Sequence, residues 1–193
     1  MNIDLGNLYL QRDAQSRSLT AENPTGEPGR GAMVEPDGPE HPSRELGRGW
    51  KVKPCLHLEP GETAVLMDHD GPGVIRHMWF TFRADYARDL ILRVYWDGQE
   101  TPSIQAPLGD FFCNSWKARQ EVLALPINVN PAGGMNSYFP MPFRKHARIT
   151  VENDSPHDVH GMFYTINYTL EDVPEDALYF HALWRRTNPV PYG

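Results

Sequence analysis

The chain has 193 residues, 40% of them hydrophobic and 22% charged, with a formal net charge of -7. This length suits one ordinary globular domain with a sizeable core and argues against a second full one. The acid excess, with no Lys/Arg-rich block, speaks against a nucleic-acid partner, and no run approaches the roughly 20 apolar residues of a membrane span.

The 18 prolines and 16 glycines require frequent turns and short regular elements. Met1-Asn2-Ile3-Asp4-Leu5-Gly6 has neither the basic start nor the apolar run of a secretory signal. Cys55 and Cys113 match neither a zinc site nor a redox pair, so buried free thiols in a cytoplasmic protein are expected. Residues 1–50 are poor in apolar alternation and rich in turn formers, as in Asn23-Pro24-Thr25-Gly26, and read as an ordered arm or a long loop packed on the domain. Residues 51–193 read as that single domain.

From Trp50 onward the signals are those of strands. Val52, Pro54, Leu56 and Leu58 alternate with Lys51, Lys53, Cys55 and His57 up to the Pro60-Gly61 turn. A strand over Thr63 to Met67 precedes Asp68-His69-Asp70-Gly71-Pro72-Gly73, which has turn chemistry, and Val74 to Phe82 is an apolar and aromatic run. One helical turn fits Asp85 to Leu90. Leu90 to Trp96 meets Asp97-Gly98, a strong hairpin signal, with another strand near Thr101. Val122 to Val129, Arg148 to Glu152, the β-branched and aromatic Phe163 to Leu170, and Tyr179 to Arg185 complete the set. About eight to ten short strands with turn punctuation predict an all-β, antiparallel two-sheet β-sandwich of jelly-roll type. Leu92, Val94, Trp96, Ile149, Val151, Phe163 and Ile166 are its expected core.

The chemistry-bearing motifs are few. Asp68-His69-Asp70 groups three metal-ligand types, but neighbours on a strand point to alternating faces; His157 and His160 are weaker, and no metal or cofactor is assigned. No Gly-x-Ser-x-Gly or phosphate-cradling loop occurs, and Ser103, Ser115 and Ser137 have no recognisable base. Glycosidase chemistry needs two carboxylates on one sugar ring, and the sequence does not select a pair from 25 acidic residues. Two segments mix aromatic rings with a few polar groups: Ala106 to Trp116, around Asp110, and Asn136 to Lys145, around Tyr138 and Arg144. Such faces suit sugar rings, and equally suit a core or a subunit contact.

These segments also carry a resemblance. Arg17 to Asn23, Glu45 to Val52, Pro60-Gly61-Glu62-Thr63, Asp70-Gly71-Pro72-Gly73, Leu92 to Gly98, Thr101 to Phe112, Tyr138 to Arg144 and Tyr179 to Arg186 follow one another in the order seen in the domain-of-unknown-function family 2961, now glycoside hydrolase family 172. The chain resembles the first half of that family. The resemblance implies two jelly rolls in tandem, assembly into trimers or hexamers, and retaining hydrolysis of fructofuranose or D-arabinofuranose glycosides. It also implies that the catalytic glutamates lie in the second half, which has no counterpart here. By pseudo-symmetry, Leu108-Gly109-Asp110-Phe111-Phe112 resembles one second-half motif, with Gly109 in place of its glutamate, and a glycine cannot transfer a proton. The expectation is therefore a homo-oligomer (trimer or hexamer), or a partner to a second-half chain. Its carbohydrate-facing surface would comprise Asp110, Phe111, Phe112, Trp116, Tyr138, Arg144, His181 and Trp184, with no catalytic residue and no catalysis by this chain alone. The alternative is a structural or lectin-like self-assembling module.

Overall fold

The computed structural model describes residues 10–36, 41, 43–130 and 132–191; Met1 to Gly6, read above for a secretory signal, lie outside them. The strands are β1 (Gln15–Thr20), β2 (Leu56–Leu58), β3 (Thr63–Asp70), β4 (Gly73–Thr81), β5 (Leu90–Trp96), β6 (Ile104–Pro107), β7 (Val122–Leu123), β8 (Ile127–Val129), β9 (Met135–Ser137), β10 (Met141–Phe143), β11 (His146–Asn153), β12 (Val159–Leu170) and β13 (Ala182–Leu183). A 3-10 turn at Ala84–Tyr86 and one helical turn, α1 (Leu108–Phe111), are the helical pieces among the described residues. None of the helices is long and apolar enough to cross a membrane.

The larger sheet runs β1-β12-β4-β9-β8-β7, with β10 also on β4 and β2 on β12; the smaller runs β13-β6-β5-β11-β3. The chain crosses between them repeatedly, from β3 to β4, β4 to β5, β10 to β11 and β11 to β12, which is the wrapping of a jelly roll. Pairing is antiparallel throughout the described ladders except for β13 on β6. Alternation along each strand supplies the core: Ile75, Met78, Phe80, Ile166 and Tyr168 from the larger sheet meet Leu92, Val94, Trp96, Ile149 and Val151 from the smaller, all buried.

Leu92, Val94, Trp96, Ile149, Val151 and Ile166 are core residues as expected, whereas Phe163 is not. On one continuous strand Phe163 and Ile166 have opposite parity and cannot share a face. The irregularity between His160 and Met162 sets the phase of β12 so that Met162, Tyr164, Ile166 and Tyr168 point inward.

A second bulge explains why β3 outruns its predicted end. Its pairing passes from Met67–Ile149 to Val65–Thr150, leaving Leu66 as the extra residue, and both Leu66 and Met67 are buried. The strand then continues through Asp68-His69-Asp70, so the turn is confined to Gly71-Pro72. His69 lies against the Tyr168 and Phe143 rings, and burial lowers its pKa. Asp68 turns the other way and accepts a 2.6 Å bond from His146 Nε2.

Other runs are shorter than the sequence suggests: only Leu56–Leu58 of residues 52–58 and Ala182–Leu183 of 179–185 are strand, and Val122 to Val129 folds back at Pro126 into β7 and β8. β1, in the turn-rich first 50 residues, pairs with β12. Both cysteines are free, but Cys55 is half-buried and Cys113 exposed rather than buried. Cys113 follows α1 with a left-handed backbone, φ 61°, outside any ladder that would turn its side chain inward.

Candidate functional site

The site residues fall into three places, and the first is built around α1. Gly109 N–H donates to the Ala87 carbonyl at 2.8 Å, drawing α1 against the loop before β5. That contact sets Arg88 opposite Asp110. The guanidinium grips the carboxylate in parallel, Nε to Oδ2 and Nη2 to Oδ1 both at 3.0 Å, with the Asp110 side chain only 10% exposed. A buried ion pair needs further hydrogen bonds to offset desolvation. Here the Trp184 indole Nε1–H donates to Oδ1 at 3.0 Å.

Two indoles flank this pair. The Arg88 guanidinium carbon lies 6.0 Å from the Trp116 ring centre and 5.9 Å from that of Trp184, at the outer reach of cation–π attraction. Trp116 is 74% exposed and Trp184 39%. A 2.7 Å ion pair between Lys117 Nζ and Asp89 Oδ1 ties the Trp116 loop to the residue after Arg88. Phe111 is half-buried behind the cleft and packs edge-on against Phe112 at 5.0 Å. Phe112 itself is fully buried against Phe80, so its ring is a core element and not a ligand surface.

Tyr138 and Arg144 lie elsewhere. Tyr138, 51% exposed, stacks on His77 at 4.9 Å on the outer face of the larger sheet. Asn167 Nδ2 donates to His77 Nδ1 at 2.9 Å, which leaves Nε2–H to donate to Asn136 Oδ1 at 3.0 Å. A row across the six laddered strands of this face, Thr20, Thr165, Trp79, Asn136, Asn128 and Leu123, carries no charge.

Arg144 serves the C-terminal segment. Its Nη2 donates to the carbonyls of Pro174 at 3.2 Å, Glu175 at 2.7 Å and Ala177, and its guanidinium covers the Tyr179 ring at 4.8 Å. His181 stands exposed on the same segment, outside both the cleft and this contact.

The arrangement is a partly buried ion pair flanked by two indoles. Both oxygens of Asp110 accept donors and Asp89 is paired with Lys117, so neither of these two carboxylates is free to act as nucleophile or acid/base. Gly109 offers no room for one: an added Cβ would lie 2.6 Å from Ala87 Cβ and 2.7 Å from the Asn114 carbonyl oxygen. A groove of about 400 Å³ beside residues 52–58 brings Cys55 Sγ within 4.0 Å of His57 Nε2, but burial pushes the Cys55 thiol pKa up, away from a nucleophilic thiolate. No group of three His, Cys, Asp or Glu side chains among the described residues is arranged to hold a metal.

Sequence reasoning singled out Asp110, Trp116 and Trp184 but missed Arg88, a single arginine in a loop with no motif around it. The one available signal was a glycine beside an acid in an aromatic segment, marking a close backbone approach.

Residues 46–173 match the glycoside hydrolase family 172 (GH172) first beta-sandwich domain. The chain belongs to this family. The match includes Arg88, Gly109, Asp110 and Trp116, while β1 and the segment carrying Trp184 lie outside it. A search of curated proteins finds no match.

Proposed function

We propose that this GH172 first-sandwich chain is a non-catalytic carbohydrate-binding scaffold that takes a furanoside in the cleft of Trp116, Arg88, Asp110 and Trp184. The observation that carries this reading is the neutral Arg88–Asp110 pair between two accessible indoles. Indole faces offer stacking for the C–H face of a sugar ring, and the guanidinium N–H groups not spent on Asp110 suit hydroxyl oxygens. Family membership favours arabinofuranose or fructofuranose as the ring. Calorimetric titration with methyl α-D-arabinofuranoside tests it: binding should be weak, in the millimolar range typical of one stacked ring with few hydrogen bonds (about -4 kcal/mol), and should disappear in Trp116→Ala. Binding unchanged in that variant would refute the placement. Hydrolysis of an aryl α-D-arabinofuranoside that Asp110→Ala abolishes, with the fold intact, would refute the non-catalytic assignment.

The second part of the reading is self-assembly, with a trimer or hexamer as the expected state. The uncharged row on the outer face of the larger sheet supports it, because Trp79 and Phe163 are half-buried there and Leu123 is 69% exposed. On a molecule of net charge -7 this is a surface where copies meet without repulsion.

A further inference from the structure

The segment that delivers Trp184 to the cleft has little hold of its own. β13 is two residues long and lies at the sheet edge, parallel to β6, with Ala182 N–H on the Ser103 carbonyl at 3.1 Å and Trp184 N–H on that of Gln105 at 3.2 Å. Two parallel bonds at an edge do not fix an indole against fraying.

What fixes it is upstream, at the hairpin after β5. Asp97, with φ 52°, begins that turn, and its Oδ1 accepts three backbone N–H groups: Arg144 at 3.0 Å, Lys145 at 2.8 Å and His146 at 3.1 Å. Its Oδ2 accepts the Tyr179 hydroxyl. The same carboxylate therefore holds the backbone of the 144–146 turn and the ring that Arg144 covers. Arg144 closes the circuit through its carbonyl contacts on the 174–177 turn and its stack on Tyr179. Next in the chain, Phe180 packs on Phe139 at 4.8 Å and its carbonyl accepts Trp96 Nε1–H at 2.8 Å.

We infer that Asp97 and Arg144 are positioning residues: they clamp residues 174–180 as a strap, and the strap sets the Trp184 indole on Asp110. Neither side chain contacts the Arg88–Asp110 pair; they act through the strap. The consequence for ligand affinity rests on the reading of the cleft as a sugar site, whereas the clamp itself does not.

Arg144→Ala is the first variant, because its side chain contacts only the strap and the core is left intact; Asp97→Asn is the second. Two readouts separate the ideas. The first is Trp184 itself: Arg144→Ala should shift indole emission to the red and speed tryptic cleavage after Arg185 and Arg186, and the emission shift should vanish when Trp184 is replaced by Phe. The second is affinity for methyl α-D-arabinofuranoside: Arg144→Ala should weaken it as much as Trp184→Ala does, roughly tenfold for one lost wall and one charge-assisted bond. The double variant should be no weaker than Trp184→Ala alone. An unchanged emission and cleavage rate in both variants would overturn the clamp, and so would strictly additive losses of affinity. Should the wild-type chain bind no furanoside, the sugar reading fails while emission and proteolysis still decide the clamp.

Discussion

Two residues show how a single side chain, or its absence, shapes the cleft. At Gly109 the backbone of the Ala87 loop comes so close that any side chain collides with backbone atoms that cannot swing aside, including the Ala87 carbonyl oxygen at 2.9 Å. Gly109→Ala should cost about 1–3 kcal/mol, the range for overpacking a filled site, and should loosen Arg88 from Asp110; urea unfolding and sugar titration check both. By the same geometry, Gly109→Glu should fail to create an active enzyme.

Asp97 controls the pH dependence of the strap. Burial pushes its carboxyl pKa up, but the Tyr179 hydroxyl and the three backbone N–H groups outweigh this and hold it below the ordinary carboxylate value. A lowered pKa in the folded chain means that the stabilisation is present above the unfolded value and is lost as pH falls through the folded one. The emission signature of strap release is thus expected only on acidification below the ordinary Asp range of about 3.9. In Asp97→Asn the transition should be absent.

At the scale of elements, bulges decide which residues face inward. The irregularity in β12 turns Ile166 into the core and Phe163 to the outer surface. Ile166→Ala should cost about 2–5 kcal/mol, as large-to-small core changes do, and Phe163→Ala much less; a larger loss for Phe163 in thermal unfolding would contradict the assigned phase. β1 is joined to the later chain by Glu22, two residues past its end. This buried carboxylate accepts the backbone N–H of Val52 at 2.7 Å and that of Lys53. Glu22→Ala strands both donors, and about 1.5–3 kcal/mol of stability per charge-assisted bond should be lost, with faster amide exchange at Val52 and Lys53 as the local signature.

For the whole molecule, the proposed assembly is tested at the uncharged row on the outer face of the larger sheet. The row from Thr20 to Leu123 spans six strands, about 24 Å at the usual spacing of neighbouring strands, and its ends carry no charge to oppose a neighbour. Light scattering at micromolar concentration should report a trimer or hexamer, and Leu123→Asp together with Trp79→Ser should give monomers with the wild-type circular dichroism. A wild-type monomer under those conditions would remove the self-assembly reading and leave the cleft untouched.

Alternation, turn residues and the Asp97-Gly98 signal were enough to determine an all-β sandwich from the chain alone, because period-two patterning is a local property that burial on one face imposes residue by residue. The order of short motifs likewise determined the GH172 relationship. What the tertiary structure alone decided is where those motifs meet. Asp110, Tyr138 and Arg144 look alike in sequence, each a polar or amphipathic group among aromatics, yet they lie in a cleft, on a sheet face and in a clamp. Arg88 reaches Asp110 only because two loops 22 residues apart close over a glycine. Bulges in β3 and β12 shift phase by one residue; that in β12 is marked only by Gly161, whose φ is 78°, and that in β3 by no glycine, so inside and outside for His69 and Phe163 are settled by the partner strands.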